Sequence, residues 1–197
     1  GSARFSRDFA RLGFDMTGYD VSAAMLAKAE QLSAAEGVFP HYVLCDARKI
    51  VTLGGRADFA LCVNDCVNYL PQRDIPRFFA RVAGCLKKGG AFLFDVSSEY
   101  KLREIVGSNA FCEDREEVAY LWFNTLKSDR VEMDFTLFIQ EKDGRFRRED
   151  ERHVQYIHAE FDLRSAAERA GFSVRSVEGS FGDKEDKTRR NFLCVRL

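Results

Sequence analysis

The sequence is poor in several features, and each shortage excludes a class of protein. Only 3 of its 197 residues are proline, which argues against a collagen-like or disordered chain. The 3 histidines show no metal-ligand spacing and none of the 6 cysteines forms a C-x-x-C pair, so we predict reduced core cysteines and no metal site. No hydrophobic run approaches a membrane span in length, and the opening segment GSARFSRDFA has no signal-peptide core. We therefore expect a cytoplasmic protein with no membrane partner.

Neither sign of charge is in excess. The chain has 30 basic and 31 acidic residues, for a net charge of -1, and such a balance offers no general attraction for a phosphate backbone. Basic clusters at 145–148 and 184–190 are interleaved with acidic residues, which is typical of solvated loops. The charge pattern therefore disfavours a dedicated nucleic-acid binder, and we expect a small-molecule substrate.

Hydrophobic residues are abundant, at 46% with 18 phenylalanines, and a chain of this size buries about 70% of its unfolded surface. Up to residue 107, helical and strand-like patterns alternate. Such alternation predicts a mostly parallel open sheet with helices on both faces. The predicted helices begin near residues 5, 22 and 74, and the third of them ends at 87–90. The predicted strands are 14–19, 41–45, 57–63 and 91–96.

The pattern changes after Gly107. Period-two alternation at 118–125 and 130–142 predicts antiparallel strands, and Asp143-Gly144 predicts a two-residue hairpin turn that returns the chain through 145–156. A helix from about 162 to 170, a strand at 172–178 and an antiparallel last strand at 192–197 then close the sequence. We predict one α/β domain over 1–197, divided into cofactor-type βα units (1–107), inserted antiparallel strands (118–158) and a closing helix and hairpin (160–197).

Polar residues follow the predicted parallel strands. In an open parallel sheet, ligands bind at the carboxyl ends of the strands. A carboxylate there can accept both ribose hydroxyls, and one on the next strand can accept an adenine amino group, so the pattern favours a nucleoside ligand. Aspartates after strands also serve as turn formers and helix caps. For any single one of these aspartates, that structural role is as good an explanation as ligand binding. The residues in question are Asp20, Asp46, Asn64, Asp65 and Asp95.

Four segments together resemble the class I S-adenosylmethionine-dependent methyltransferases, in particular small bacterial ones with a late antiparallel insertion. They are GFDMTGYDVSAAMLAKAE, LCDARKI, FALCVNDCVNYL and LKKGGAFLFDVSS. The resemblance covers nearly the whole chain. It implies a Rossmann-like fold, S-adenosylmethionine as cofactor, S-adenosylhomocysteine as product, and methyl transfer to an unidentified small-molecule nucleophile.

The resemblance also assigns site residues. Asp20, with Val21 and Met25, holds the ribose. Asp46, with Ala47, faces the adenine. The remaining assignments are Asn64 and Asp65 beside the methyl centre, and Gly1, Ser2 and Ala3 as the tail of the family's glycine-rich motif.

The sequence departs from the family at its start. No strand precedes Gly1, and Ala3 stands where a glycine is usual, so we expect an amino-terminal truncation that removes the first strand and most of the glycine-rich motif. A sheet without that strand exposes edges that invite association into a homo-oligomer. The fourth-strand residues Asn64-Asp65-Cys66-Val67 also lack the [D/N]-P-P-[Y/F] motif, which argues against methylation of nucleic-acid bases.

Two residues are candidates for the chemistry itself. Asp65 can orient or deprotonate the acceptor. His153 is a candidate general base because its unperturbed pKa lies near neutrality, and the alternative for it is a structural histidine. Tyr69 can wall the pocket or simply pack. Two other functions stay open: an NAD(P)-dependent oxidoreductase, since an acidic residue 19 positions after Gly1 also fits a dinucleotide fingerprint, and a binding protein without turnover.

Overall fold

The computed structural model describes residues 1–50, 57–183 and 185–197. Lys184, in the second basic cluster, lies outside the described residues. The chain divides into two compact units, Gly1–Gly55 and Arg56–Leu197, and each is described by itself. In the described part of the chain, no helix has both the length and the hydropathy needed to cross a membrane.

The first unit alternates helix and strand as predicted. Its two strands pair in parallel, with Asp20 opposite Leu44. The second helix begins where the Ser22 hydroxyl accepts the Met25 N–H at 3.3 Å. This capping bond gives a partner to one of the N–H groups in the first turn that have none within the helix. In order, the elements are α1 (Arg4–Arg11), β1 (Thr17–Asp20), α2 (Ala23–Glu36) and β2 (His41–Leu44).

Helix α1 does not bury the apolar stripe that its sequence suggests. Phe5 is 46% and Leu12 is 74% exposed, whereas Arg7 is only 7% exposed. The Arg7 Nε donates to Glu36 at 2.9 Å, so an ion pair with α2 orients this helix. A buried arginine is tolerated because its charge is paired.

The described residues of the second unit form two sheets and two α-helices, with a short π-helix at Lys101–Val106. Its main sheet has the order β3-β4-β10-β9, in which β3 and β4 are parallel and the other neighbours are antiparallel. The inserted sheet is an antiparallel meander in the order β5-β6-β7-β8. In chain order the elements are β3 (Ala57–Cys62), α3 (Ile75–Cys85), β4 (Leu86–Ser97), β5 (Ala110–Asp114), β6 (Val118–Leu126), β7 (Arg130–Gln140), β8 (Phe146–Tyr156), α4 (Glu160–Arg169), β9 (Phe172–Glu178) and β10 (Arg189–Arg196).

Phenylalanines form the core of the main sheet. Phe79 of α3 packs on Phe94 of β4 with ring centroids 5.1 Å apart, and Phe94 stacks on Phe192 of β10 at 4.5 Å. Each of these rings is fully buried, and buried aromatic pairs contribute about 1 kcal/mol beyond their area. The core therefore anchors the carboxyl end of β4, where the polar residues lie.

The hairpin between β7 and β8 is longer than predicted. Gln140 pairs with Phe146, and the Glu141 N–H donates to the Arg145 carbonyl at 2.8 Å, so the two-residue turn predicted at Asp143-Gly144 is wrong. The Asp143 carboxylate accepts the Arg145 N–H, and Gly144 adopts a φ of 83°. This local bond favours a wider turn with its glycine in the left-handed region.

Candidate active site

The strand ends of the first unit place the two predicted adenosine carboxylates at one edge. Asp20 ends β1, and its carbonyl accepts the N–H of Cys45 at 2.9 Å, which continues the β1–β2 pairing up to the residue before Asp46. The Asp20 Oδ1 accepts the Ser22 N–H at 2.8 Å, and its Oδ2 contacts the Gly1 amino group. The structure thus brings Gly1, Asp20 and Asp46 to the same edge of this small sheet.

Asp46 is engaged by its own neighbour. The Arg48 Nε lies 3.0 Å from each Asp46 oxygen, and the Arg48 backbone N–H donates to Oδ1 at 2.8 Å. The Arg48 side-chain hydrogen bond, supported by the backbone bond, lowers the pKa of Asp46 to about 2. Asp46 is therefore ionised at neutral pH, and an adenine amino group must share it with Arg48.

The opening residues include one left-handed backbone conformation. Ala3 has a φ of 56° directly before α1, a left-handed conformation that glycine adopts without steric cost. Ala3 is also the residue that stands where the family usually has glycine. The Ser2 carbonyl accepts from the Arg7 guanidinium.

The donor and acceptor set of this edge fits an adenosine. A ribose diol needs an acceptor, and Asp20, with a side chain 21% exposed, is a carboxylate with lone pairs left for a second bond at each oxygen. Val21 is 69% and Met25 is 40% exposed, so apolar side chains flank that carboxylate. Ala47 begins the short helical turn after Asp46.

In the second unit, the segment after β3 makes a strained two-residue turn. Asn64 and Asp65 have φ values of 61° and 59°, and such left-handed pairs persist only when the surroundings hold them. Both N–H groups donate to the Asp95 carboxylate, at 3.1 Å and 2.8 Å. The Arg189 Nη1 bridges Asp95 at 2.8 Å and Asp65 at 2.9 Å.

This arrangement defines what Asp65 can do. Its Oδ1 is ion-paired with Arg189, and its backbone is fixed by Asp95, so the residue is rigid and its carboxylate already has a cationic partner. Such a group suits orientation of an acceptor better than abstraction of a proton. Arg189 was not predicted from the sequence, because it lies in the closing strand, far along the chain from Asp65.

A cavity of about 170 Å³ lies between the Asp65 turn and the inserted sheet. We call it the inserted-sheet cavity. One part of its wall is apolar, formed by Leu102, Val106, Trp122, Met133 and Phe135. The other part is polar, formed by Asp65, Tyr69, Ser97, Lys101, His153 and Gln155. Both predicted catalytic residues, Asp65 and His153, therefore face the same cavity.

Three side chains form a hydrogen-bonded chain at that wall. The Tyr69 hydroxyl lies 3.2 Å from the His153 Nδ1, and the His153 Nε2 lies 3.1 Å from a Glu151 carboxylate oxygen. An ionised carboxylate only accepts, so Nε2 is the donor to Glu151, and Nδ1 is left to accept from the Tyr69 hydroxyl. Burial raises the pKa of Tyr69, so its hydroxyl keeps its proton near neutral pH.

Glu151 was not predicted from the sequence, although it lies two residues before His153 on the same face of a period-two strand. The cysteines also differ from the prediction of core residues, since Cys194 is buried but Cys112 is exposed. The hydrogen bond that the Cys62 thiol makes to Cys66, together with burial, raises the pKa of that thiol. Among the described residues, no group of three or more potential ligands could hold a metal ion.

Comparison with known proteins agrees with these features. The family model "Methyltransferase domain" matches residues 1–90. "Putative methyltransferase GWCH70_2453" of Geobacillus sp. (strain WCH70) is 30% identical over 190 residues, which cover 93% of this chain and 75% of that protein. The crystal structure of an S-adenosylmethionine-dependent methyltransferase from Clostridium acetobutylicum ATCC 824 is 26% identical, with a TM-score of 0.94 over 100% of this chain and 80% of that one.

A more distant structure shares the fold alone. CalS10, an amino pentose methyltransferase from Micromonospora echinaspora solved with S-adenosylmethionine bound, is 22% identical, with a TM-score of 0.72 over 93% of this chain and 74% of that one.

The chain belongs to the class I S-adenosylmethionine-dependent methyltransferases. The predicted family, fold class and cofactor are thereby confirmed. The alternative of an NAD(P)-dependent oxidoreductase is set aside.

Proposed function

We propose that this methyltransferase acts on a small molecule bound in the inserted-sheet cavity, and that Tyr69, His153 and Glu151 remove the acceptor proton. The observation that carries the proposal is the hydrogen-bonded chain of these three residues at the cavity wall. CalS10 acts on an amino pentose, which supports an acceptor of small size for a protein of this fold.

The residues at the strand ends of the first unit are proposed to bind the adenosine. Asp20 accepts the ribose hydroxyls, with Val21 and Met25 beside it. Asp46 and Ala47 face the adenine amino group. The further proposed cofactor contacts are Gly1, Ser2 and Ala3 along the opening loop, and Asn64 and Asp65 near the methyl group.

When bound, S-adenosylmethionine supplies a methyl group on a positive sulfur, which becomes the neutral thioether of S-adenosylhomocysteine as the acceptor atom bonds to the methyl carbon. The protein contributes alignment and a proton path. Tyr69 takes the proton from the acceptor as its own proton passes to the Nδ1 of His153. Glu151 then stabilises the protonated imidazole, as a carboxylate does in other histidine relays.

The test follows methyl transfer from labelled S-adenosylmethionine to an ultrafiltered small-molecule extract of bacterial cells. We expect wild type to label a small molecule and His153→Gln to be slower by roughly a hundredfold or more, the usual loss on removing a general base. His41→Gln is the matched control, since His41 is exposed at the start of β2, and it should keep the wild-type rate.

Two results would contradict the proposal. An undiminished rate in His153→Gln would remove the proton path from the mechanism. Label that appeared only in a macromolecular fraction, tested in parallel, would exclude the small-molecule acceptor. Labelling of neither fraction, together with tight binding of S-adenosylhomocysteine, would favour a binding protein without turnover.

A further inference from the structure

We propose that the acceptor is a single-ring aromatic carboxylate with a hydroxyl or amino nucleophile, and that Lys101 binds its carboxylate. This inference rests on the proposed function, because it names the acceptor class of the same cavity. Three observations carry it: an unpaired cation, an aromatic wall and the size of the space.

Lys101 is a cation without a carboxylate partner. It lines the inserted-sheet cavity, and no ion pair joins its ammonium group to an acidic residue within the described ranges. Asp65 on the same cavity wall is already paired with Arg189 at 2.9 Å, and Glu99, two residues before Lys101, is paired with Arg103 at 2.8 Å. An ammonium group beside apolar side chains gains most from an anionic ligand.

The apolar wall is aromatic. Trp122 and Phe135 stack across β6 and β7 with centroids 5.0 Å apart and planes inclined by 20°. Met133, on the same face of β7, adds a polarizable sulfur. Aromatic rings and thioether sulfur favour an aromatic ligand over a hydrated polar one.

The space has room for about one ring. Its volume of about 170 Å³ is close to the roughly 150 Å³ of a protein cavity that holds benzene. The Tyr69 hydroxyl at the polar part of the wall provides the proton path for a phenol or amine on that ring. The cavity therefore matches the acceptor in three respects: Lys101 faces its carboxylate, the aromatic wall faces its ring, and Tyr69 faces its nucleophile.

The experiment measures binding, which needs no turnover, so its outcome is independent of the transfer test on His153. Benzoate, its neutral analogue benzamide and the non-aromatic anion cyclohexanecarboxylate are titrated calorimetrically into the protein saturated with S-adenosylhomocysteine. We expect benzoate to bind about ten- to a hundredfold more tightly than benzamide, the range for a hydrogen bond to a charged group. Cyclohexanecarboxylate should also bind more weakly than benzoate.

Variants locate the effect. In Lys101→Met, benzoate and benzamide should bind equally to within about threefold, because the charge is lost while the length of the side chain is kept. Lys142→Met, at the exposed turn between β7 and β8, should behave as wild type. Trp122 is the only tryptophan, so benzoate should change its fluorescence in wild type.

The cofactor also carries a carboxylate, which is an alternative ligand for Lys101. If Lys101→Met weakened S-adenosylhomocysteine about tenfold and left the preference for benzoate intact, Lys101 would bind the cofactor and the proposal would be wrong. Equal binding of benzoate and benzamide to wild type, or saturation by neither, would overturn it as well.

Discussion

Asp20 combines the two properties that a ribose ligand requires, an exposed carboxylate edge and a fixed position. Its Oδ1 accepts the Ser22 N–H and its backbone carbonyl closes the β1–β2 pairing, so the side chain is held without being buried. Asp20→Asn keeps this shape but replaces one acceptor oxygen by a donor. We expect S-adenosylhomocysteine to bind about ten- to a hundredfold more weakly to this variant, as for the loss of a hydrogen bond to a charged group.

Isothermal titration calorimetry measures that difference. Asp15→Asn is the matched control, because Asp15 is exposed and lies before β1 in the same unit. An Asp20→Asn dissociation constant within about threefold of wild type would show that the ribose is held elsewhere.

Candidate residues could be predicted from the sequence where the signal lies in neighbouring residues. Asp20 and Asp46 were predicted because each follows a short apolar strand, and the resemblance gave them a ligand; their roles stay predictions. Lys101 and Arg189 were not found, because their significance depends on which strands become neighbours. A lysine after a strand does not indicate a binding site by itself. Lys101 becomes a candidate only because the inserted sheet forms a cavity beside it.

At the scale of elements, Asn68 joins three segments of the second unit. Its Nδ2 donates to the carbonyls of Ser97 at the end of β4 and Tyr156 at the end of β8, both at 3.1 Å, and its Oδ1 accepts the Ser97 N–H at 2.9 Å. The residue is fully buried. It therefore fixes the strand that carries His153 against the main sheet.

We expect Asn68→Ala to lower the free energy of unfolding by about 3 kcal/mol, since it leaves buried backbone groups unpaired at about 1–3 kcal/mol each with partial relief by water. Urea unfolding followed by fluorescence of Trp122 provides the measurement. Asn109→Ala, which removes an exposed bond of 2.7 Å to Ile105, should cost less than about 1 kcal/mol. Similar losses in both variants would mean that Asn68 does not hold β8 in place.

The predicted elements succeeded where the period was clear. Strand β9 has the predicted bounds, and α2 begins at its predicted cap. Strand β5 was missed because AFCED is short and two of its five residues are acidic. The segment 87–90 was predicted as the end of α3 but belongs to β4, where the pairing with β3 shifts register between Ala57 and Phe59. Such irregular pairing depends on tertiary contacts, so it produces no periodic pattern of hydrophobic residues in the sequence.

At the scale of the whole chain, the two units differ in how well they bury their apolar residues. The first has a two-stranded sheet and exposes Leu12, Phe39 and Leu44 by 74%, 81% and 61%, and an isolated strand pair is marginally stable. The second buries its phenylalanine core. We therefore expect the first unit to unfold at a lower urea concentration than the second.

Two spectroscopic signals separate these events. Far-ultraviolet circular dichroism reports α1 and α2, about half of the helical residues, as well as α3 and α4, whereas Trp122 reports only the second unit. The expected result is a dichroism change that begins before the fluorescence change. S-adenosylhomocysteine at about a hundred times its dissociation constant should stabilise the first transition by about 2.7 kcal/mol, a shift of about 1–2 M urea for a usual denaturant dependence. In Asp20→Asn, tested at the same ligand concentration, a ten- to hundredfold weaker affinity should remove about half or more of that shift. Coincident transitions by both signals would instead show that the chain unfolds as one cooperative unit.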